Sequence, residues 1–474
     1  GKEIKIMARL VAVWRNHGRC FCFGYERVSV LFKKLFFPTL LGMLSMSAVT
    51  TIDGIFVGHG VGSDGIAAVN ICVPLLMSLM GVGLMMGAGC SVIASIYLSK
   101  GKTVLARATI TQAMLFVTLI SVTVGGFILA FPEETARMLG SSEHLLPLVV
   151  DYLVWFSPSL LFELWIAVAL FAMRLDGAPK LAMWCSIIAA AVNVVLDWLF
   201  IFPLGWGVMG AAFATSLSCL AGAAVAMGYL LFYARDTRLH SLRPGRKKIL
   251  FFFHDIGMQC KIGSSALLGE LTMAILLFIG NQVFMRHLGD DGVGAFGVSC
   301  YYLPFVFMIG NAIAQSAQPI ISYNFGTGST ERVRSALRVS VFAALVCGVI
   351  STAAFILFPE LLVGLFLRID NTAARIAIEG FPYYGTGFIF FILNLSIIGY
   401  YQSMEQVKPA ITFAVLRGLV FLVPCFMALP AIGGNKTKFI ITHTNRDVII
   451  RLKTSFIKIT KIVLYIRERL RKRS

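Results

Sequence analysis

KKLFFPTLLGMLSMSAVTTIDGIFV (33–57) opens with two lysines and then runs apolar from Leu35 to Val57, with Asp53 as its one charged side chain. An α-helix rises about 1.5 Å per residue, so roughly 20 apolar residues cross a hydrocarbon core of about 30 Å. Ile71–Leu98, Leu181–Phe202 and Val208–Tyr233 repeat the pattern. Lipid accepts so much apolar surface, and water does not. The chain of 474 residues is 58% hydrophobic and 14% charged, with a mean hydropathy of +0.83. It reads as an all-α integral membrane protein.

Eleven spans are expected, at roughly 35–57, 71–98, 109–131, 145–171, 181–202, 208–233, 262–285, 293–321, 336–358, 378–401 and 410–432. The loops between them alternate in charge. One set carries Lys33/Lys34, Lys100/Lys102/Arg107, Arg174/Lys180, the stretch from Arg235 to Lys248, Arg332/Arg334/Arg338 and Lys408. The other carries Asp64, Glu133/Glu134/Glu143, Asp290/Asp291 and Glu360/Asp370, with few bases. Lys and Arg gather on the cytoplasmic side of a membrane protein, so the N-terminus is expected there. The net charge of +18 follows this alternation and the basic termini, which argues against nucleic acid as a partner. The first apolar run lacks a cleavable leader pattern and would stay as an anchor. The ten cysteines lie mostly inside apolar runs without zinc spacing, and read as small helix fillers. No H-E-x-x-H pattern or comparable constellation suggests an enzyme, and no cofactor or metal is implied beyond a coupling ion.

The chain repeats itself with an offset of about 227 residues. Gly62 and Gly65 return as Gly289 and Gly292, and Gly101, Thr103 and Arg107 return as Gly328, Thr330 and Arg334. Pro132-Glu133 returns as Pro359-Glu360, and Pro203 as Pro430. Six spans in the first half start both halves on the same side, as in parallel repeats that face each other across a midplane cavity in transporters. The expected organisation is a basic extension (1–34), a first lobe (35–233), an inter-lobe loop (234–261), a second lobe (262–434) and a basic tail (435–474). The repeat fails in that tail. A twelfth span belongs near 435–460, where six bases stand instead, among them Lys436, Arg446 and Arg451. Each charge at mid-bilayer costs roughly 2.5–3.5 kcal/mol. The twelfth helix is thus read as missing or replaced. The tail is either foreign sequence, such as a frame change introduces, or a segment folded back on the membrane surface. Residues 1–27 also look unlike the body of the chain.

Intramembrane carboxylates are functional candidates by default. Asp53 lies about 6 Å from the outer end of the first span, Asp197 about 8 Å from that of the fifth, and Thr215 about 10 Å inside the sixth. Asn193 and Asp197 stand four apart on one helix face. Two carboxylates with amide and hydroxyl oxygens suit H⁺ or a hard cation such as Na⁺, and close carboxylates let a proton be held and released near neutral pH. The competing reading makes Asp53 and Asp197 helix caps or interface groups. Against it, Asn281 stands opposite Asp53 in the second half, while Val420 and Pro424 replace the fifth-span pair. Glu163 and Glu270 lie deeper, where they would attract a lipophilic cation or bind a neighbouring group. Gln315 and Gln318 would line the second bundle or pack its helices.

TTIDGIFVGHGVGSDGIAAV (50–69), MRLDGAPKLAM (173–183), AVNVVLDWLFIF (191–202), GAAFATS (210–216) and QSAQPIISYNFG (315–326) together resemble the multidrug and toxic compound extrusion (MATE) transporters, in their bacterial MepA-like branch. The resemblance covers roughly residues 29–434. It implies two six-helix lobes as parallel repeats and exchange of H⁺ or Na⁺ for organic cations by alternating access. It implies that Asp53, Asn193, Asp197 and Thr215 match the cation site of the first lobe. Glu270 matches an acidic position tied to coupling in some members, and Glu163 has a looser counterpart. Glu163, Glu270, Gln315 and Gln318 are thereby expected on the substrate side. The expected partners are small organic cations and membrane lipids, and the expected form is a monomer in the bacterial cytoplasmic membrane. Two alternatives stand beside this reading: a lipid-linked sugar flippase of the same superfamily, and a defective, non-transporting remnant.

Overall fold

The computed structural model describes residues 23–240, 246–366, 369 and 372–422. Among them every regular element is helical. The first half runs α1 (Val28–Gly60), α2 (Ser63–Ser99), α3 (Thr103–Ala130), the short surface helix α4 (Pro132–Met138), α5 (Leu146–Leu175), α6 (Pro179–Ile201) and α7 (Gly207–Gly228). The second half runs α8 (Arg246–Gly326), α9 (Thr330–Leu357), the short α10 (Pro359–Gly364), α11 (Thr372–Thr386), α12 (Phe388–Ser403) and α13 (Val407–Val415), with a wider turn over Leu416–Leu422.

α8 cannot be one straight rod. A Cβ built on Gly280 would collide with the Phe296 ring, and Phe284 stacks on Phe296 with centroids 4.7 Å apart. Twelve residues of straight helix would hold those rings about 18 Å apart. The helix therefore doubles back, and its two limbs, Phe252–Arg286 and Ala295–Gly326, are separate spans. Among the described residues, nine helices are long and apolar enough to cross a membrane, or ten if α11 and α12, bent by 42°, form one span. The eleventh expected span begins at α13, and its far end lies outside the described residues. So do the tail at 435–474, residues 1–22, Pro424 and the side chain of Asn281.

Many hydroxyls inside these helices are answered locally. The Ser45 hydroxyl donates to the Leu41 carbonyl at 2.8 Å, Thr118 to Met114 at 2.7 Å and Ser121 to Val117 at 2.7 Å. A hydroxyl bonded to the preceding turn can sit in lipid or in the bundle without an orphan donor. Large apolar side chains such as Leu119, Val122, Trp184 and Val195 face outward, as a lipid-facing surface requires. α5 is the centre of the first half and packs on α2, α3 and α7. Small residues let it do so: at Gly83 of α2 a Cβ would lie 2.7 Å from Leu164 and 3.0 Å from Ala167.

The sequence repeat is visible in the backbone. Gly101 and Gly328 both adopt left-handed conformations, φ 71° and 77°, each two residues before the threonine that starts α3 or α9. Pro132 and Pro359 each start a short helix directly after a long span. Proline is at home at the first helical position, where its missing N–H has no partner to lose.

The stretch 234–261 is not all loop, because α8 begins at Arg246 and places Asp255 and Gln259 inside a helix. Their polarity hid the helix from a hydropathy reading. The chain also divides into two compact units. The first unit holds the chain to Leu271 with Asn311–Val341 and Ser396–Ala414, so the basic ends of second-half helices pack with the first half. The second holds Thr272–Gly310, Phe342–Leu395 and the chain from Val415, around a ring cluster of Tyr302, Phe355, Phe381 and Phe388.

A Cβ at Gly101 would meet nothing within 4 Å, so Gly101→Ala tests the backbone alone. The left-handed conformation should cost this variant about 1–2 kcal/mol, read as a lowered melting temperature in detergent. Gly126→Ala, equally uncrowded but in regular helix, should leave the melting temperature unchanged or raise it.

Candidate cation site

Asp53 sits seven residues before the end of α1, and Asp197 four before the end of α6, both toward the end of the bundle that carries the acidic loops. α1 packs along α6, and Gly42 marks the close approach: its Cβ would lie 3.3 Å from the Met183 backbone. This packing brings the carboxyl groups of Asp53 and Asp197 within hydrogen-bonding reach of each other. Asp197 is fully buried and Asn193, one turn away, is 3% exposed. The Asn193 amide donates to the Thr215 hydroxyl of α7 at 3.4 Å, and that hydroxyl donates to the Ala211 carbonyl at 3.1 Å. The four residues expected to form one site do come together.

Donors are scarce there. Both oxygens of Asp197, Oδ1 of Asp53 and Oδ1 of Asn193 are sealed from solvent, and none accepts a bond from a donor among the described residues. Buried acceptors are ordinarily paired, and buried carboxylates need a charge or donors to offset desolvation. An oxygen-only cluster in an apolar bundle is chemically a seat for a proton or a hard cation. Among the described residues no three His, Cys, Asp or Glu side chains gather as a metal site. A bound Na⁺ would thus draw its further ligands from amide and hydroxyl oxygens. Tyr152 of α5, 3% exposed, lies within electrostatic reach of both carboxyl groups. Nothing local in the sequence marks it, because its nearness to the two carboxyl groups depends on helix packing.

The other candidates stand elsewhere. Glu163 lies on α5 roughly three turns beyond Tyr152, near Cys219 of α7. Glu270 is 6% exposed on the first limb of α8, with its Cβ 3.4 Å from where a Gly81 side chain would start on α2. Gln315 and Gln318 are buried and engaged in helix contacts. Gln315 accepts from Arg174 Nη1 at 2.6 Å, and the Gln318 amide donates to the Ala88 carbonyl at 2.9 Å.

Arg174 was read as a loop base. It is instead in the last turn of α5 and only 4% exposed. A charge next to a loop in sequence says little about which way a helix turns it. Asp176, just beyond, collects the amides of the following loop: Asp236 N at 2.7 Å, Arg235 N and Thr237 N at 3.1 Å, and the Tyr229 hydroxyl at 2.5 Å. Gly177 next to it has φ 85°, which is why Asp-Gly stands there. Asp255 is 3% exposed and accepts from Thr109 at 3.0 Å and Gln259 at 3.2 Å.

Comparison with known proteins bears on the family and the fold. The MatE family model matches residues 38–199 and again 266–427, one match in each repeat. The multidrug export protein MepA of Staphylococcus aureus is 24% identical over 430 residues, covering 86% of this chain and 90% of MepA. A protein of Shewanella oneidensis named as an FAD transporter is 24% identical, covering 69% of this chain and 72% of its own. Among solved structures, a MOP-superfamily transporter from Pyrococcus furiosus, described as having a binding pocket of reversed polarity, aligns with TM-score 0.79 at 19% identity. That alignment covers 92% of this chain and 96% of the other. An outward-facing multidrug resistance MATE transporter aligns with TM-score 0.78 at 20% identity, covering 91% and 97%. These structural likenesses establish a common fold.

Asp176→Ala should free the loop that Asp176 holds, since hydrogen bonds to a charged acceptor contribute about 1.5–3 kcal/mol each. Trypsin should then cut after Arg235 or Arg238 faster than in the parent protein, as followed by mass spectrometry of the digest. Asp176→Glu should recover only part of the protection, because the longer carboxylate misplaces its oxygens.

Proposed function

The chain belongs to the MatE family, and on that premise we propose that it is a cation-coupled antiporter that exports small organic cations by alternating access. The observation that carries this reading is the donor-free oxygen cluster of Asp53, Asp197 and Asn193 in the first half. Two carboxyl groups this close in an apolar bundle cannot both stay ionised without a proton or cation between them. H⁺ or Na⁺ arriving from the acidic end would occupy this seat and draw α1 and α6 together. Thr215 would present its oxygen to the ion, since its own proton is given to Ala211. The rearranged first half would release the organic cation, and the seat would empty once it faced the basic end.

Glu163 and Glu270 are the groups best placed by charge to attract a cationic cargo. Gln315 and Gln318 would join the lining only when their helix contacts part. The distribution of Lys and Arg puts the basic end, with the N-terminus, on the cytoplasmic side of a bacterial membrane. A lipid-linked sugar carried by a flippase would ask for basic groups to meet its phosphates, and the interior acids of the first half speak against it.

Ethidium efflux from vesicles under an imposed pH gradient, compared with an imposed Na⁺ gradient, tests the reading. Efflux driven by one of the two identifies the coupling ion. Asp53→Asn and Asp197→Asn should each lower the coupled rate by at least about tenfold, the equivalent of 1.4 kcal/mol, with unchanged membrane levels. Full efflux in both variants would remove the ion from this site. No efflux from well-inserted parent protein would favour the remnant reading.

A further inference from the structure

Within the first compact unit, α2 and the first limb of α8 run antiparallel at very short range. Gly81 faces Leu267, Met85 faces Gly263, and Gly89 faces Gln259. Each step is four residues forward on one helix and four back on the other, so a single stripe of each helix forms the contact. Any Cβ on Gly89 or Gly263 would collide with the facing backbone. The second limb of α8 closes the same region, where Gln318 bonds the Ala88 carbonyl and Gly326 meets Ser99. This is the seam along which the two sequence halves touch at the basic end.

Arg174 is shut into that seam. A guanidinium has five N–H donors. Among the described residues, this one donates to the neutral Gln315, and its Nε is buried without a partner. The Phe171 ring lies 5.2 Å from its carbon, and the C-terminus of α5 offers a partial negative charge. No carboxylate forms an ion pair with it among the described residues. In water every donor would be solvated. One neutral acceptor and a ring do not replace that hydration, and a buried charge of this kind commonly leaves a contact weaker than an apolar side chain would. The glycine stripe holds the seam shut while the buried, unneutralised charge works against it.

We propose that Arg174 is a positioning residue for the transport cycle, whose unneutralised charge biases the basic-end seam toward opening. The inference rests on the alternating-access reading above. It differs from the simpler view of Arg174 and Gln315 as a latch, and the two views demand opposite signs. If the charge is a spring, neutral side chains tighten the seam. If the bond is a latch, they loosen it.

Cys260 supplies a reporter, because its sulfur lies in the seam 3.6 Å from Met86 Sδ. In the full chain with Cys260 as the sole cysteine, a membrane-impermeant maleimide applied from the basic side reads seam opening. Arg174→Met and Arg174→Gln should each slow labelling by about threefold or more, where tenfold corresponds to 1.4 kcal/mol. Arg174→Lys should label at the parent rate. Faster labelling in the neutral variants, or no change in either, would overturn the proposal. Either neutral variant suffices if the other fails to insert. Loss of both from the membrane while Arg174→Lys is retained would also overturn it, by making the charge a folding requirement. Labelling needs no cargo, so a failure of ethidium efflux and a failure of the spring are separate results.

Discussion

Hydrocarbon offers no hydrogen bonds, and the rest of this molecule follows from that. Among the described residues the regular backbone is helical, which satisfies its amides within each span, and many polar side chains in the spans find partners at close range. Hydroxyls return to the preceding turn, as Ser45, Thr118 and Ser121 do. Asp255 is held by Thr109 and Gln259, and Gln318 is held by the Ala88 carbonyl. Other buried oxygens also lack a donor, Thr39 Oγ1 and Gln112 Oε1 among them, but those of Asp53, Asp197 and Asn193 stand out because they lie together and include two carboxyl groups.

The two repeats share their punctuation and differ in their interiors. Gly101 and Gly328 turn the chain alike, and Pro132 and Pro359 start matching short helices. The oxygen cluster belongs to the first repeat. Where that repeat has Asn193, the second has Val420, 47% exposed. The second compact unit is filled by rings, with Phe355 stacked on Phe381 at 4.9 Å and edge-on to Phe388 at 4.8 Å. Duplication supplied the scaffold, and the chemistry was retained or gained on one copy.

Opposed forces also meet at the basic end. Close backbone contact along Gly81, Gly89 and Gly263 favours packing, since dispersion grows as helices approach. Arg174, buried on Gln315, works the other way. A seam balanced in this manner can change state for a small input.

Much of this was legible from the residues alone. Span length, loop charge, the offset repeat and the lone carboxylates are local or periodic signals, and bilayer thickness converts them directly into helices and depths. Asp53 and Asp197 could be set at one depth because rise per residue is constant. Whether they touch was not legible, since that depends on the packing of α1 on α6. The sequence reading placed Arg174 in a loop and 234–261 outside the helices, because hydropathy averages over faces and cannot tell which way a polar side chain turns. The reversal inside α8, the glycine stripe and the sealing of Arg174 all depend on contacts between residues far apart in the chain. Sequence by itself determined that this chain crosses a bilayer many times in two like halves, because the solvent dictates that pattern residue by residue. Only the tertiary structure decided which polar groups find partners and which are left open, because partnership is a property of packed surfaces.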